Sequence, residues 1–248
     1  SDDDAYLDPE SLRRMATHQA LARAHGIEEI VGSPVLDAED PTSLQICAEY
    51  VRASDFFWTK ADSLDEPRST EEDPDGLADA LDLVHEPNYA GWWGCLLPPG
   101  AVARLGAPLP LFLKWDDAEY GLRAVDAGYS ITVLPGTGVS HPRWDTTSTL
   151  WSWSGVLSQR NRLAVAAARG ASRGVLVSSL AHQATHGLSL QSDVAASWNA
   201  AGAALADDPS WFGSDLLTAR DWASGVWGRA QEATLRVAAV FDSQRPTA

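Results

Sequence analysis

Lys114-Trp115-Asp116-Asp117-Ala118-Glu119-Tyr120-Gly121-Leu122-Arg123 is the stretch whose reading decides the fold of this chain. Two adjacent carboxylates, with Glu119 close behind, open a helix by complementing its free N–H groups, and Ala127-Gly128 supplies a glycine where such a helix stops. Directly before the acids, residues 109–113 form an apolar run flanked by prolines and predict a strand. A strand delivering acids to a helix start is α/β logic, and open α/β sheets place ligands at such strand ends.

The same alternation extends in both directions. Upstream, residues 89–97 predict an apolar strand that carries Trp92-Trp93, and downstream residues 130–134 and 138–140 predict two more, ending at His141. Asp8-Pro9-Glu10-Ser11 has the cap, N1 proline and early acid of a helix start, with Leu12, Met15, Ala16 and Ala20 inward and His25-Gly26 as the stop. Residues 27–36 predict a strand broken at Gly32 and Pro34, and residues 55–59 a short aromatic one. Residues 61–82 are acid, proline and serine with little apolar periodicity, which predicts a mobile surface loop. From residue 148 to about 241 the chain turns Ala-rich with helical spacing, so we expect an α/β part over residues 1–147 and a helical bundle over 148–248.

Charge excludes several functions. Eighteen basic against 34 acidic residues give a net charge of −16, so bulk attraction to nucleic acid or to anionic lipid is not available. No apolar run approaches the roughly 20 residues needed to span a bilayer. Ser1-Asp2-Asp3-Asp4 is the reverse of a basic, apolar signal peptide, and two distant cysteines, Cys47 and Cys95, do not suggest a disulfide framework. A cytoplasmic location is expected, with any membrane contact local. Eleven tryptophans are unusual in number; most suit a core, but an indole face also covers the C–H side of a sugar ring.

Four groups of residues carry candidate chemistry. Asp2-Asp3-Asp4 offers Asp-x-Asp spacing, which turns two carboxylates the same way on an extended segment and suits a hard divalent cation; alone it is equally an acidic terminus. Asp116-Asp117 is either an N-cap pair or a pair with one general base for an acceptor hydroxyl. Of Trp92-Trp93, one can pack inward while the other faces a ligand. His141 stands at a strand end before Pro142, while His18, His25, His85, His182 and His186 lack partners at ligand spacing and are taken as structural. As an ordered set, these elements suit transfer of a sugar from a nucleotide.

With those residues in place, the chain resembles the polymerising UDP-galactofuranose galactofuranosyltransferases of actinobacterial arabinogalactan synthesis. The likeness runs from Asp2-Asp3-Asp4 through Gly91-Trp92-Trp93, Pro108-Leu109-Pro110-Leu111-Phe112 and the central motif to Leu134-Pro135-Gly136 and Arg160-Asn161-Arg162-Leu163. The resemblance implies the second half of a GT-A, Rossmann-like domain and inverting transfer with Mn or Mg. It implies Asp2 and Asp4 at the metal, Asp2 and Asp3 at the nucleotide, His141 as a metal ligand and Asp117 as the catalytic base. It also implies Glu49, Trp58, Trp92, Trp93, Trp115, Asp116 and Trp144 around the acceptor sugars.

A family histidine just before the Arg-Asn-Arg motif, which the resemblance implies at an acceptor or phosphate contact, is Ser158 here, a departure from the family at that contact. The family's N-terminal β-sandwich and first nucleotide-binding strands have no counterpart before Ser1, so the chain is expected to be a fragment. The expected partners are UDP-galactofuranose, a lipid-linked galactan acceptor, the N-terminal half and further copies of the chain, with peripheral contact at the inner face of the plasma membrane. The alternative is a non-catalytic acceptor-binding half that requires that N-terminal partner.

Overall fold

The computed structural model describes residues 1–60, 68–69, 71–75, 78, 87–143, 151–171, 173–208, 210 and 214–243. Most of the expected loop over residues 61–82 lies outside them, as does Trp144. The part that is described includes a strand, β7 (Arg68–Ser69).

Contacts divide the chain into two compact units. The first comprises Ser1–Arg52, Phe57–Leu109 and Asp116–Trp144. Its first helix, α1 (Pro9–Ala24), starts as the sequence predicts: Asp8 accepts from the Ser11 N–H at 3.0 Å, Pro9 takes the first turn, and Gly26 turns left-handed (φ +78°) after the His25 cap. Its inner face differs from the expected one. Met15 is buried with Ser11 and Gln19, whereas Leu12, Ala16 and Ala20 are exposed. The reason is polar: the Gln19 amide donates to the carbonyls of Glu29 (3.0 Å) and Leu96 (3.1 Å), fixing the helix rotation where an apolar count would not.

Two small mixed sheets follow. In the three-stranded one, β2 (Glu29–Gly32) lies between β8 (Cys95–Leu96), antiparallel, and β9 (Ser130–Val133), parallel. In the five-stranded one the order is β1-β10-β3-β4-β7, with β1 (Tyr6–Leu7), β10 (Val139–His141), β3 (Val35–Asp37) and β4 (Ser43–Ile46). Ser33-Pro34 passes the chain from one sheet to the other, because Pro34 has no N–H to continue the ladder. A hairpin joins β5 (Glu49–Val51) to β6 (Trp58–Lys60). The core is Ile30, Ala90, Ala101, Ala124 and Tyr129 under one sheet, and Val35, Ile46 and Val139 under the other.

Two expected strands are absent. Residues 89–97 form a turn-rich segment of which only Cys95–Leu96 pairs, and residues 109–113 form no strand at all. Pro108 and Pro110 donate nothing to a ladder, and Leu113 has φ +76°. Short α2 (Ala101–Leu105) precedes that segment, and α3 (Asp116–Asp126) follows it with both acids in its first turn, as expected.

The second unit comprises Ala53–Phe56, Pro110–Trp115 and Asp145–Ala248. Its helices are α4 (Trp153–Ala168), α5 (Gly174–Leu188), α6 (Ser192–Asp207) and α7 (Leu216–Ser243), the expected bundle. Val156, Leu157, Val194, Ala201 and Ala223 are fully buried; the larger of these side chains each stabilise by roughly 1.5–3 kcal/mol. Arg162 is buried as well. Its guanidinium donates to the Phe56 and Asp55 carbonyls, to Gln159, and to the hydroxyls of Ser178 and Ser179. Among the described residues no helix is long and apolar enough to cross a membrane.

Candidate active site

The first group of the site is assembled by β1. Tyr6 pairs with Ser140 and Leu7 with Val139, so the antiparallel register carries the preceding residues back along the end of β10 toward His141. His141 Nε2 lies 3.3 Å from Asp4 Oδ1, and one ligand atom from each of Asp2, Asp4 and His141 fall within 4.8 Å of one another. The imidazole is oriented from behind: Nδ1 is 2.5 Å from the Pro142 carbonyl, which can only accept. That contact fixes the ring with Nε2 facing the carboxylates. Two carboxylates and one such imidazole fit a divalent cation such as Mn or Mg. Asp3 is exposed and takes no part in that group.

A buried acid behind His141 escaped the sequence reading. Asp37 pairs with His141 across β3 and β10. Its carboxylate accepts from the Glu39 N–H (2.9 Å) and from Arg143 Nε (2.8 Å), and these bonds hold its carboxyl below the usual carboxylate range, the backbone donor contributing most. Nothing in the spacing of Asp37 and Arg143 marks them as a pair.

The second group gathers around Asp117. The Tyr89 hydroxyl donates to Glu49 Oε2 at 2.6 Å, and burial pushes that phenol well above its ordinary pKa, with the charges of Glu49 and Asp117 adding to the effect. Burial, and then the Asp117 charge, push the Cys95 thiol up to about 12. Asp117 therefore sits within electrostatic reach of Tyr89 and Cys95, while its Oδ1 accepts from the Ala118 N–H at 2.6 Å. Gly121 makes this approach possible. A Cβ there would stand 2.3 Å from Tyr89 Cβ and 2.9 Å from the Asn88 carbonyl oxygen. The Asn88 amide in turn bonds both the N–H and the carbonyl of Val51, at 2.8 and 2.9 Å, which ties the loop to β5 and so to Glu49. Sequence reasoning missed Tyr89, although a mid-helix glycine one turn after Asp117 signals a close neighbour.

Trp92 and Trp93 diverge as expected, but from a turn. Trp93 Nε1 donates to the Ser33 carbonyl at 3.1 Å, and its ring packs on the Val35–Ile46–Val139 cluster that also receives Ala5 and Leu7. Trp92 meets Tyr120 of α3 edge-on, with centroids 6.0 Å apart. One residue of the pair thus lies on the side of the Asp4 segment and the other against the helix of Asp117. Trp58 on β6 is 45% exposed. In the second unit Trp115 is buried, and its indole N–H has no acceptor among the described residues; Ser158 is half-buried on α4. His182 and His186 pack around Trp198, and His186 bonds Gln191 at 2.6 Å.

Known proteins are similar to this chain in sequence. Over 170 residues the chain is 38% identical to galactofuranosyltransferase GlfT2 of Mycobacterium tuberculosis, covering 67% of this chain. Over 213 residues it is 34% identical to galactofuranosyltransferase GlfT2 of Mycolicibacterium smegmatis, covering 81% of this chain. The chain is a relative of these galactofuranosyltransferases. It spans 26% of the length of the first and 32% of the second. No protein-family model matches it.

Proposed function

We propose that the chain supplies the cation-binding and acceptor-side residues for inverting transfer of galactofuranose from UDP-galactofuranose to a growing, lipid-linked cell-wall galactan at the inner face of the plasma membrane. The observation that carries this reading is the convergence of Asp2, Asp4 and an oriented His141 in a relative of galactofuranosyltransferases. A divalent cation held there would neutralise charge on the departing diphosphate. Asp117 takes the proton of an acceptor hydroxyl, whose oxygen forms the new bond to the anomeric carbon as the bond to UDP breaks on the opposite side. A single displacement inverts that centre and leaves no covalent enzyme intermediate. Asp3 contacts the nucleotide. Glu49, Asp116 and the indoles of Trp58, Trp92, Trp93 and Trp144 hold the acceptor sugars. The GT-A architecture belongs to this same proposal.

The short span relative to the relatives favours a second reading, in which these 248 residues bind acceptor but turn over only with the remainder of the enzyme. Calorimetric titration with Mn²⁺ and with a galactofuranose oligosaccharide, beside transfer assays with and without that remainder, tests both. The expected results are cation binding weakened by His141→Ala, oligosaccharide binding by the chain, and turnover only in the assembled enzyme. Cation affinity unaffected by His141→Ala would remove His141 from the site, and absence of sugar binding in every form would overturn the acceptor assignment.

A further inference from the structure

Among the buried polar groups of α4, Asn161 bonds the segment that precedes Asp116. Asn161 is fully buried, and its amide uses its whole bonding capacity. Oδ1 accepts from Arg160 at 3.2 Å through both Nε and a terminal guanidinium nitrogen. Nδ2 donates to the carbonyls of Phe112 (3.3 Å) and Lys114 (2.9 Å). Between and beside those carbonyls stand Leu113 and Trp115, with φ of +76° and +81°. Bulky residues seldom hold that left-handed backbone, and it persists only where the surroundings impose it. The clamped segment runs directly into Asp116 and Asp117 at the first turn of α3. Arg160, the other partner, is itself fixed over the Trp222 ring at 5.2 Å.

We propose that Asn161 is a positioning residue for the transfer: by clamping the backbone of residues 112–115 it holds the left-handed turns at Leu113 and Trp115 that immediately precede Asp116-Asp117 in the chain. This inference rests on the proposed role of Asp117. Asn161→Asp is the informative variant, because a carboxylate still accepts from Arg160 but cannot donate to either carbonyl. Two arms test it. In the 248-residue chain, hydrogen exchange over residues 110–118 should rise while exchange in α6 and α7 stays at the parental level. In the assembled enzyme, kcat should fall by about 10²-fold. KM for the acceptor should rise and KM for UDP-galactofuranose should stay unchanged. Asn161→Ser, whose shorter hydroxyl falls short of both carbonyls, should show the same two effects without a buried charge. A merely smaller folded fraction would lower the apparent kcat and move neither KM.

Unchanged exchange over residues 110–118, or a loss of turnover without a change in acceptor KM, would overturn the proposal. If Asn161→Asp does not fold, the same readouts on Asn161→Ser decide it. Absence of transfer in the parental enzyme would refute the proposed function, while a local rise in exchange would still establish Asn161 as the clamp.

Discussion

Gly121→Ala probes how Asp117 is brought to Tyr89. The new Cβ would lie 2.3 Å from Tyr89 Cβ, 2.5 Å from its Cα and 2.9 Å from the Asn88 carbonyl oxygen. Carbon atoms rest about 3.5–4.0 Å apart, so helix and loop must separate by about 1 Å or more. Forced overpacking of this kind costs about 1–3 kcal/mol. Better helix propensity returns up to about 1 kcal/mol. Against that return stands the strain on the Tyr89–Glu49 bond, since a hydrogen bond to a charged group contributes about 1.5–3 kcal/mol. We expect a net destabilisation of about 1–3 kcal/mol, read in urea as a lower midpoint at unchanged slope. A double-mutant cycle with Tyr89→Phe locates the effect: if Gly121→Ala acts by displacing Tyr89, the two changes will not add. Parental stability in Gly121→Ala would refute the close-approach argument, and strict additivity in the cycle would remove the Tyr89–Glu49 bond from its cost.

Two further outcomes are expected. The depressed carboxyl of Asp37 stabilises the fold at pH above the ordinary carboxylate range, and that contribution is lost as the pH falls through its lower folded value; Asp37→Asn should therefore flatten the acid limb of the stability–pH curve, and an unchanged limb would contradict the hold on that carboxylate by the Glu39 N–H and Arg143. With its thiol pushed up to about 12, Cys95 should react slowly with a disulfide reagent in the native protein at neutral pH and promptly after unfolding; rapid native labelling at Cys95 would refute that burial.

The sequence carried the elements whose signals are local. Asp8-Pro9 starts α1, Asp116-Asp117 starts α3, and the helices after residue 151 follow from composition and spacing. It failed where side chains override pattern. Gln19 rotates α1 so that Ser11 faces in and Leu12 faces out, and the prolines around residues 109–113 deny that apolar run a ladder while Asn161 takes its carbonyls. The family resemblance implies Asp2, Asp4 and His141 at one metal, but nothing in the sequence shows that the β1–β10 register brings them together. Tyr89 and Asp37 were invisible for a related reason. Tyr89 bonds Glu49, 40 residues away, and Asp37 bonds Arg143, 106 residues away, and no short-range pattern encodes such pairs.

The most direct test of the proposed transfer is single-turnover kinetics of Asp117→Asn in the assembled enzyme, with UDP-galactofuranose and a short galactofuranose acceptor both saturating. The substituted amide would keep an oxygen to accept from the Ala118 N–H, so the fold and the affinity for both substrates should survive. The proton of the attacking hydroxyl would then have no base. The expected result is loss of at least about 10²-fold in the chemical step, in keeping with a general base, with unchanged binding of UDP-galactofuranose. Transfer at near-parental rate by Asp117→Asn would contradict the assignment of the base and, with it, the proposed mechanism.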